Sequence, residues 1–86
     1  MNSESYAATR YFLEQVTVKR PYVTLELAIL AVLNAKKSTK QSDGRMRHWA
    51  SVTDPRDSTV RTLRVVTLAD GKTIHNAFFD RDYIDE

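Results

Sequence analysis

Leu63-Arg64-Val65-Val66-Thr67-Leu68-Ala69-Asp70-Gly71-Lys72-Thr73-Ile74-His75-Asn76-Ala77-Phe78-Phe79 decides the fold class, because β-branched and aromatic runs stand on both sides of one Asp-Gly pair. Asp-Gly between such runs predicts a two-residue hairpin turn, with both central residues at positive φ. That register sets Leu63 opposite Phe78, Val65 opposite Asn76 and Thr67 opposite Ile74. One face is then apolar, apart from an Asn76 that needs a hydrogen-bond partner. The other face carries Thr62, Arg64, Val66 and Leu68 against Phe79, Ala77, His75 and Thr73. His75 and Arg64 fall on a diagonal about 7 Å apart at the backbone, within reach of one small ligand.

Upstream, Asp43-Gly44 divides residues 37–41 from 45–52 and predicts a second hairpin. With a two-residue turn, Met46, His48, Ala50 and Val52 share the core side with Lys37, Thr39 and Gln41. Arg45, Arg47, Trp49 and Ser51 then share the opposite side with Ser38 and Lys40. Residues 53–61 contain Asp54-Pro55 and read as a surface loop. Before the hairpins, Ser3 or Ser5 can cap a helix over about residues 4–15, with Ala8, Tyr11 and Phe12 at helical spacing. Arg20-Pro21 favours extended backbone, and Thr24 with Glu26 opens a second helix over 25–35. Its run Leu25-Glu26-Leu27-Ala28-Ile29-Leu30-Ala31-Val32-Leu33 is apolar nearly all round, which predicts packing on more than one side. The expectation is an α+β fold over 1–86, a single domain with two N-terminal helices packed on a four-stranded antiparallel sheet of two hairpins.

Eighty-six residues suffice for one hydrophobic core. The absence of Cys removes disulfides and thiolate chemistry, and suits a reducing compartment such as the cytoplasm. The longest apolar run, residues 27–33, is far too short for a membrane span, so no membrane partner is expected. Charge is uneven: residues 36–64 carry eight Lys/Arg against three Asp/Glu, while residues 65–86 carry two against five. The middle of the chain therefore attracts polyanions, whereas Asp80, Asp82, Asp85 and Glu86 repel them.

If both hairpins join one sheet, its open face gathers Lys40, Arg45, Arg47, Trp49, Arg64 and His75. Cations with an aromatic ring suit single-stranded RNA, whose bases stack and whose phosphates meet Lys and Arg. Two His residues far apart and no Cys give no metal-ligand spacing, so no metal and no cofactor is expected. Both glycines fall in turns, and neither a phosphate loop nor a Gly-x-Ser-x-Gly elbow is present. The remaining chemistry is cleavage of RNA through its own 2′-hydroxyl. It requires proton transfer at His75 and charge stabilisation by Arg64 and Arg47. Tyr83, Asp80 and His48 are candidates for the second proton-transfer group, and His48 otherwise reads as a structural core residue.

Residues 19–24, Asp43-Gly44-Arg45-Met46-Arg47-His48-Trp49 and residues 63–81 together resemble small bacterial proteins similar to the barnase/EndoU/colicin/RelE-like ribonuclease superfamily. The resemblance covers residues 19–81. It implies helices followed by a four-stranded antiparallel sheet, and the toxin half of a toxin-antitoxin pair acting as a metal-independent endoribonuclease. The implied partners are RNA, free or on the ribosome, and a cognate antitoxin; a second copy of the chain, as a homo-oligomer, is a further candidate partner that the sequence leaves open. An Arg on the next-to-last strand and a polar residue on the last contribute to such sites, positions held here by Arg64 and by His75 or Asn76. Arg20 and Arg81, inside the resembling segments, join Lys40, Arg45 and Trp49 as RNA-binding candidates. Where such toxins often present Thr or Tyr on the last strand, this chain presents His and Asn. The alternative is a non-catalytic module that holds RNA or an acidic protein on the same face.

Overall fold

In the computed structural model, which describes residues 6–83, the chain is α+β, with two short helices against one five-stranded mixed sheet. The strands are β1 (Ala7–Ala8), β2 (Lys37–Lys40), β3 (Met46–Thr53), β4 (Val60–Thr67) and β5 (Thr73–Phe79), in the order β1-β5-β4-β3-β2. The four expected strands form the antiparallel part. The fifth, β1, pairs parallel to β5, which corrects the all-antiparallel expectation. Ala7 and Ala8 leave the expected first helix because their backbone is used by β5: Ala7 N–H donates to Lys72 C=O (3.1 Å) and Thr9 N–H to Ile74 C=O (2.9 Å). The expected caps Ser3 and Ser5 lie outside the described residues.

Helix α1 spans residues 10–19. Thr9 caps it, its hydroxyl accepting the Phe12 N–H at 3.1 Å. Phe12–Val16 is π-helical, with Thr17 N–H reaching Phe12 C=O, and Thr17–Lys19 resumes the α form. The helix outlasts the expected stop near residue 15 because Val16 is buried one turn beyond Phe12 and ties the segment to the core. It ends at Arg20, whose extended φ of −127° meets the steric demand of Pro21. Helix α2 (Leu25–Leu33) is capped as expected, the Thr24 hydroxyl accepting Leu27 N–H at 3.1 Å.

Helix α2 lies over β3, β4 and β5 and buries only one side. Ala28 and Ala31 are fully covered, while Leu30 and Leu33 stay 51% and 59% exposed. The expected burial on several sides is thus overturned: small alanines bring the helix close to the sheet, and no second layer covers the leucines. The core joins these alanines to Phe12, Val16, Val23, Ala50, Leu63, Val65, Ile74 and Ala77.

Both turns differ from the expected two-residue form; the first shifts the register of its hairpin, whereas in the second hairpin the shift comes from a bulge on β5. Type I′ needs positive φ at both central residues, yet Asp43 and Asp70 are not among the positive-φ residues; Gly44 (+94°) and Gly71 (+70°) are. The first connection is a three-residue loop, closed by Gln41 N–H to Arg45 C=O (2.7 Å) and Gly44 N–H to Gln41 C=O (3.0 Å). Its extra residue pairs Lys37 with Trp49 and Lys40 with Met46, one place from expectation. The second is a four-residue loop closed by Leu68 N–H to Thr73 C=O (3.0 Å). The Asp70 carboxylate caps it, accepting Lys72 N–H, Thr73 N–H and the Thr73 hydroxyl. Thr67 pairs with Ile74 as expected, but Val66 pairs with Asn76, Val65 with Ala77 and Leu63 with Phe79. Two residues, His75 and Asn76, therefore stand against one on β4, which is a β-bulge. Beyond it the faces of β5 are exchanged: Ala77 and Phe79 turn to the core, and Asn76 and Phe78 turn away. Asn76 thereby leaves the apolar side that would have starved it of partners.

His48 is buried on the helix side, as its structural reading requires. Thr67 Oγ1 donates its proton to Leu68 C=O (3.0 Å), so it can only accept from His48 Nε2–H (3.0 Å). Nδ1 is then the acceptor for the Ser38 hydroxyl (2.9 Å). Burial pushes the His48 pKa down, holding this neutral tautomer. Since the unfolded chain takes up the proton more readily, stability falls as pH drops below the ordinary histidine value of about 6.5. Urea midpoints should be lower at about pH 5.5 than at about pH 7.5, and the difference should shrink in His48→Gln; an undiminished difference contradicts the buried neutral ring. In the helix, Ala28→Leu should cost about 1–3 kcal/mol by overpacking, whereas Leu33→Ser should stay within about 0.5 kcal/mol. Equal losses in thermal melts would contradict one-sided packing.

Candidate functional site

Alternation along the strands and the bulge on β5 build the face turned away from α2. Across its middle, cross-strand pairing aligns Lys37, Trp49, Arg64 and Phe78 on four neighbouring strands. Cations alternate with rings. The Lys37 ammonium lies 5.6 Å from the Trp49 ring, and the Arg64 guanidinium 5.6 Å from Trp49 and 5.1 Å from Phe78. Arg47 adds a contact of 6.0 Å to Trp49, and Arg20 one of 6.0 Å to Phe78. Such contacts contribute about 0.5–1 kcal/mol each at exposed sites. Trp49 is only 8% exposed although it lies outside the helix-side core. Tyr83 stacks on it at 5.8 Å, and its indole N–H donates to Asp80 at 3.0 Å. Its ring is therefore occupied by neighbours, and it serves the face as a buried anchor for cations.

A second row, Thr39, Arg47, Val66 and Asn76, leads to His75. Three polar atoms of this face are buried without a hydrogen-bond partner among the described residues: Arg47 Nε, Arg64 Nε and Thr39 Oγ1. An unmade bond of this kind costs about 1–3 kcal/mol, a cost carried within the fold because neighbouring side chains cover these atoms. Arg64 is held loosely by Asp80 at 4.0 Å, and Arg47 has no acidic partner among the described residues.

His75 is half-buried in the bulge, with its Nδ1 3.0 Å from the Thr9 hydroxyl and its ring stacked on Tyr11 at 5.0 Å. Thr9 follows Ala8, the partner of Ile74, so its side chain meets His75 on the same side of the sheet. The one hydroxyl that caps α1 also orients the imidazole. With one proton and two lone pairs, it can donate to Nδ1 or accept from Nδ1–H while still accepting Phe12 N–H. The ring can thus gain or lose a proton at Nε2 without turning. Nε2 itself has no hydrogen-bond partner among the described residues. Burial lowers the His75 pKa first and the positive charge of Arg45 lowers it further, while Asp43 opposes them. Asp43 and Arg45, 3.6 Å apart as an ion pair in the first loop, therefore lie within electrostatic reach of the ring.

The structure places His75, Arg45, Arg47 and Arg64 on one face, but the bulge sets Arg64 opposite Phe78, three residues along β5 from His75, so the expected diagonal of about 7 Å between Arg64 and His75 is lost. It removes Lys40, which pairs with Met46 and falls on the helix side, and substitutes Lys37. The shift comes from the extra residue in the first loop. Arg20 and Arg81 stand at the far end of β5, lining a separate cavity. Of the candidates for a second proton-transfer group, Asp80 and Tyr83 are engaged with Trp49, and His48 is buried on the opposite side. The titratable neighbours of His75 are instead Tyr11 and Asp43. Thr9, Tyr11 and Asp43 were not marked by sequence as site residues. Thr9 and Tyr11 reach His75 only through the parallel pairing of residues 66 positions apart. Among the described residues no three His, Asp or Glu side chains gather as a metal ion would need.

Comparisons of the chain with family models, with curated proteins and with solved structures give no match. The site is read from its own geometry. Replacing Arg45→Gln should raise the His75 pKa toward the ordinary histidine value, because one of its two lowering influences is removed. An NMR titration of the imidazole checks this, and an unchanged or lower pKa would contradict the proximity.

Proposed function

We propose that the protein binds single-stranded RNA on the face turned away from α2 and cleaves it without a metal ion. The observation that carries this reading is the sharing of one face by a pre-oriented histidine with an unpartnered Nε2 and the arginines Arg45, Arg47 and Arg64. In the proposed reaction His75 acts as the base, since its lowered pKa favours the neutral ring near neutral pH. Nε2 takes the proton of the 2′-hydroxyl, and the 2′-oxygen attacks the adjacent phosphorus. Arg47 and Arg64 stabilise the charge that grows on the phosphoryl oxygens. The 5′-oxygen leaves with a proton supplied by Tyr11, giving a 2′,3′-cyclic phosphate and a free 5′-hydroxyl. Arg45 and Lys37 extend the cationic surface for flanking phosphates.

The reading extends to the cell. An RNA-cutting domain of this size fits the toxin half of a toxin-antitoxin pair, as the resemblance to the barnase/EndoU/colicin/RelE-like superfamily implies, acting in the cytoplasm and neutralised by a cognate antitoxin. The four antiparallel strands follow the helices in chain order, whereas the parallel β1 is an addition.

A second reading, a binding module without turnover, is favoured by one observation: Arg64 is committed to Trp49, Phe78 and Asp80 within the fold. The two readings separate in one assay. Purified protein should cleave single-stranded RNA in the presence of a chelator, and 2′-deoxy substitution should abolish cutting at that nucleotide. His75→Ala should lower the rate by about 10²–10⁴-fold, and Arg47→Ala by about 10²–10³-fold, with circular dichroism unchanged. Intact RNA together with salt-sensitive binding selects the module, and full activity in His75→Ala contradicts the proposed chemistry.

A further inference from the structure

At the end of β5 away from the hairpin loop, a cavity of about 530 Å³ opens between the α1–α2 connector and the loop joining β3 to β4. Its lining includes four arginines, Arg20, Arg56, Arg61 and Arg81. Two of them are ion-paired with a carboxylate that the proposed chemistry does not use. Asp54 is fully buried, although the sequence suggested a surface position. It accepts Nε and Nη2 of Arg56, with the shortest contact at 2.6 Å, and Nη1 of Arg61 at 3.0 Å. Arg61 also forms a two-pronged pair with Asp57 at 2.7 and 2.9 Å. The backbone closes the same loop: Ser58 N–H reaches Asp54 C=O at 2.8 Å, and Asp54 N–H reaches Thr59 C=O at 2.8 Å. Arg56 is further fixed on the Tyr22 ring at 4.0 Å and lies 5.2 Å from the Phe79 ring. One wall is thus rigid before any ligand arrives.

The other two arginines are free to bind. Arg20 and Arg81 have no acidic partner among the described residues, and the Arg20 guanidinium lies over the Phe78 ring, 6.0 Å from its centre. Two guanidiniums without an acidic partner among the described residues, in a cavity also lined by Tyr22, Phe78 and Phe79, match a phosphate carried on an organic group. The cavity also continues the proposed RNA track. Phe78 lies under both Arg64 and Arg20, so its ring joins the central row of the open face to the cavity. Phe79 is four residues along β5 from His75, about 13 Å at strand spacing.

We propose that this cavity is a second phosphate subsite, in which Arg20 and Arg81 hold a phosphodiester of the same RNA strand several nucleotides from the bond at His75. The proposal rests on the reading of the open face as an RNA surface, and it adds where the strand leaves that surface. The two fail separately. Loss of cleavage in the chelator assay refutes the chemistry at His75, while the subsite is read by binding alone.

The probes are 2′-O-methyl oligoribonucleotides, which cannot be cut: a dinucleotide too short to span both sites, and a decanucleotide that spans them. Inorganic phosphate serves as the small-anion control. Arg20→Ala/Arg81→Ala, two surface changes outside the core, should weaken the decanucleotide about tenfold and leave the dinucleotide unchanged. The slope of log affinity against log salt should fall by about 0.7, the value for one lost phosphate contact on a single strand. Asp54→Asn, which loosens Arg56 and Arg61 while keeping Arg20 and Arg81, should weaken the decanucleotide less than the double variant. Equal weakening of both probes, or none for the decanucleotide, would overturn the subsite. So would inorganic phosphate displacing the decanucleotide from the double variant as readily as from the unaltered protein.

Discussion

The bulge at His75 is the constraint on which the rest of the structure depends. Uniform pairing of β5 with β4 would send Phe78 into the core and leave Asn76 among apolar side chains. One extra residue on β5 reverses both assignments, so that Ile74 before the bulge and Ala77 and Phe79 after it all face α2. The residue that absorbs the irregularity is also the residue with chemical potential. A histidine there sits where the strand bends and pairing is locally disrupted, and its ring can project from a packed sheet.

Irregular backbone needs external support, and the N-terminal segment supplies it. Ala7 and Ala8 continue the sheet past β5, and Thr9 then uses one hydroxyl both to start α1 and to hold the imidazole. Phe12 and Val16 anchor that helix in the core, with a π-turn between them. The orientation of His75 is therefore coupled to core packing through a single hydrogen-bonded oxygen. On the other side, loop residues Asp43 and Arg45 set its electrostatic surroundings, because the first hairpin loop and the bulge lie at the same end of the sheet.

Much of this was legible in the sequence. Strand positions, the Thr24 cap, the extended backbone at Arg20-Pro21 and the side of the sheet shared by Arg64 and His75 follow from local rules of turns, caps and alternation. The parts that were not legible have nonlocal or counting origins. Asp-Gly marks a turn, but its spacing in the first hairpin could not show a three-residue loop, and that one residue exchanged Lys40 for Lys37. The bulge leaves no composition signal in Ile74-His75-Asn76-Ala77, although a polar Asn76 assigned to an apolar face was its one trace. β1 is two alanines long, and its pairing is visible only once β5 exists. Burial of Asp54 depends on Arg56 and Arg61 folding over it, which no periodicity encodes.

Interstrand nuclear Overhauser effects between β4 and β5 test the bulge most directly. Backbone contacts should link Leu63 with Phe79, Val65 with Ala77 and Thr67 with Ile74, leaving His75 without a partner of its own. A continuous ladder linking Leu63 with Phe78 and Val65 with Asn76 would contradict the bulge, and with it the placing of Asn76 and Phe78 on the open face and of Ala77 and Phe79 in the core.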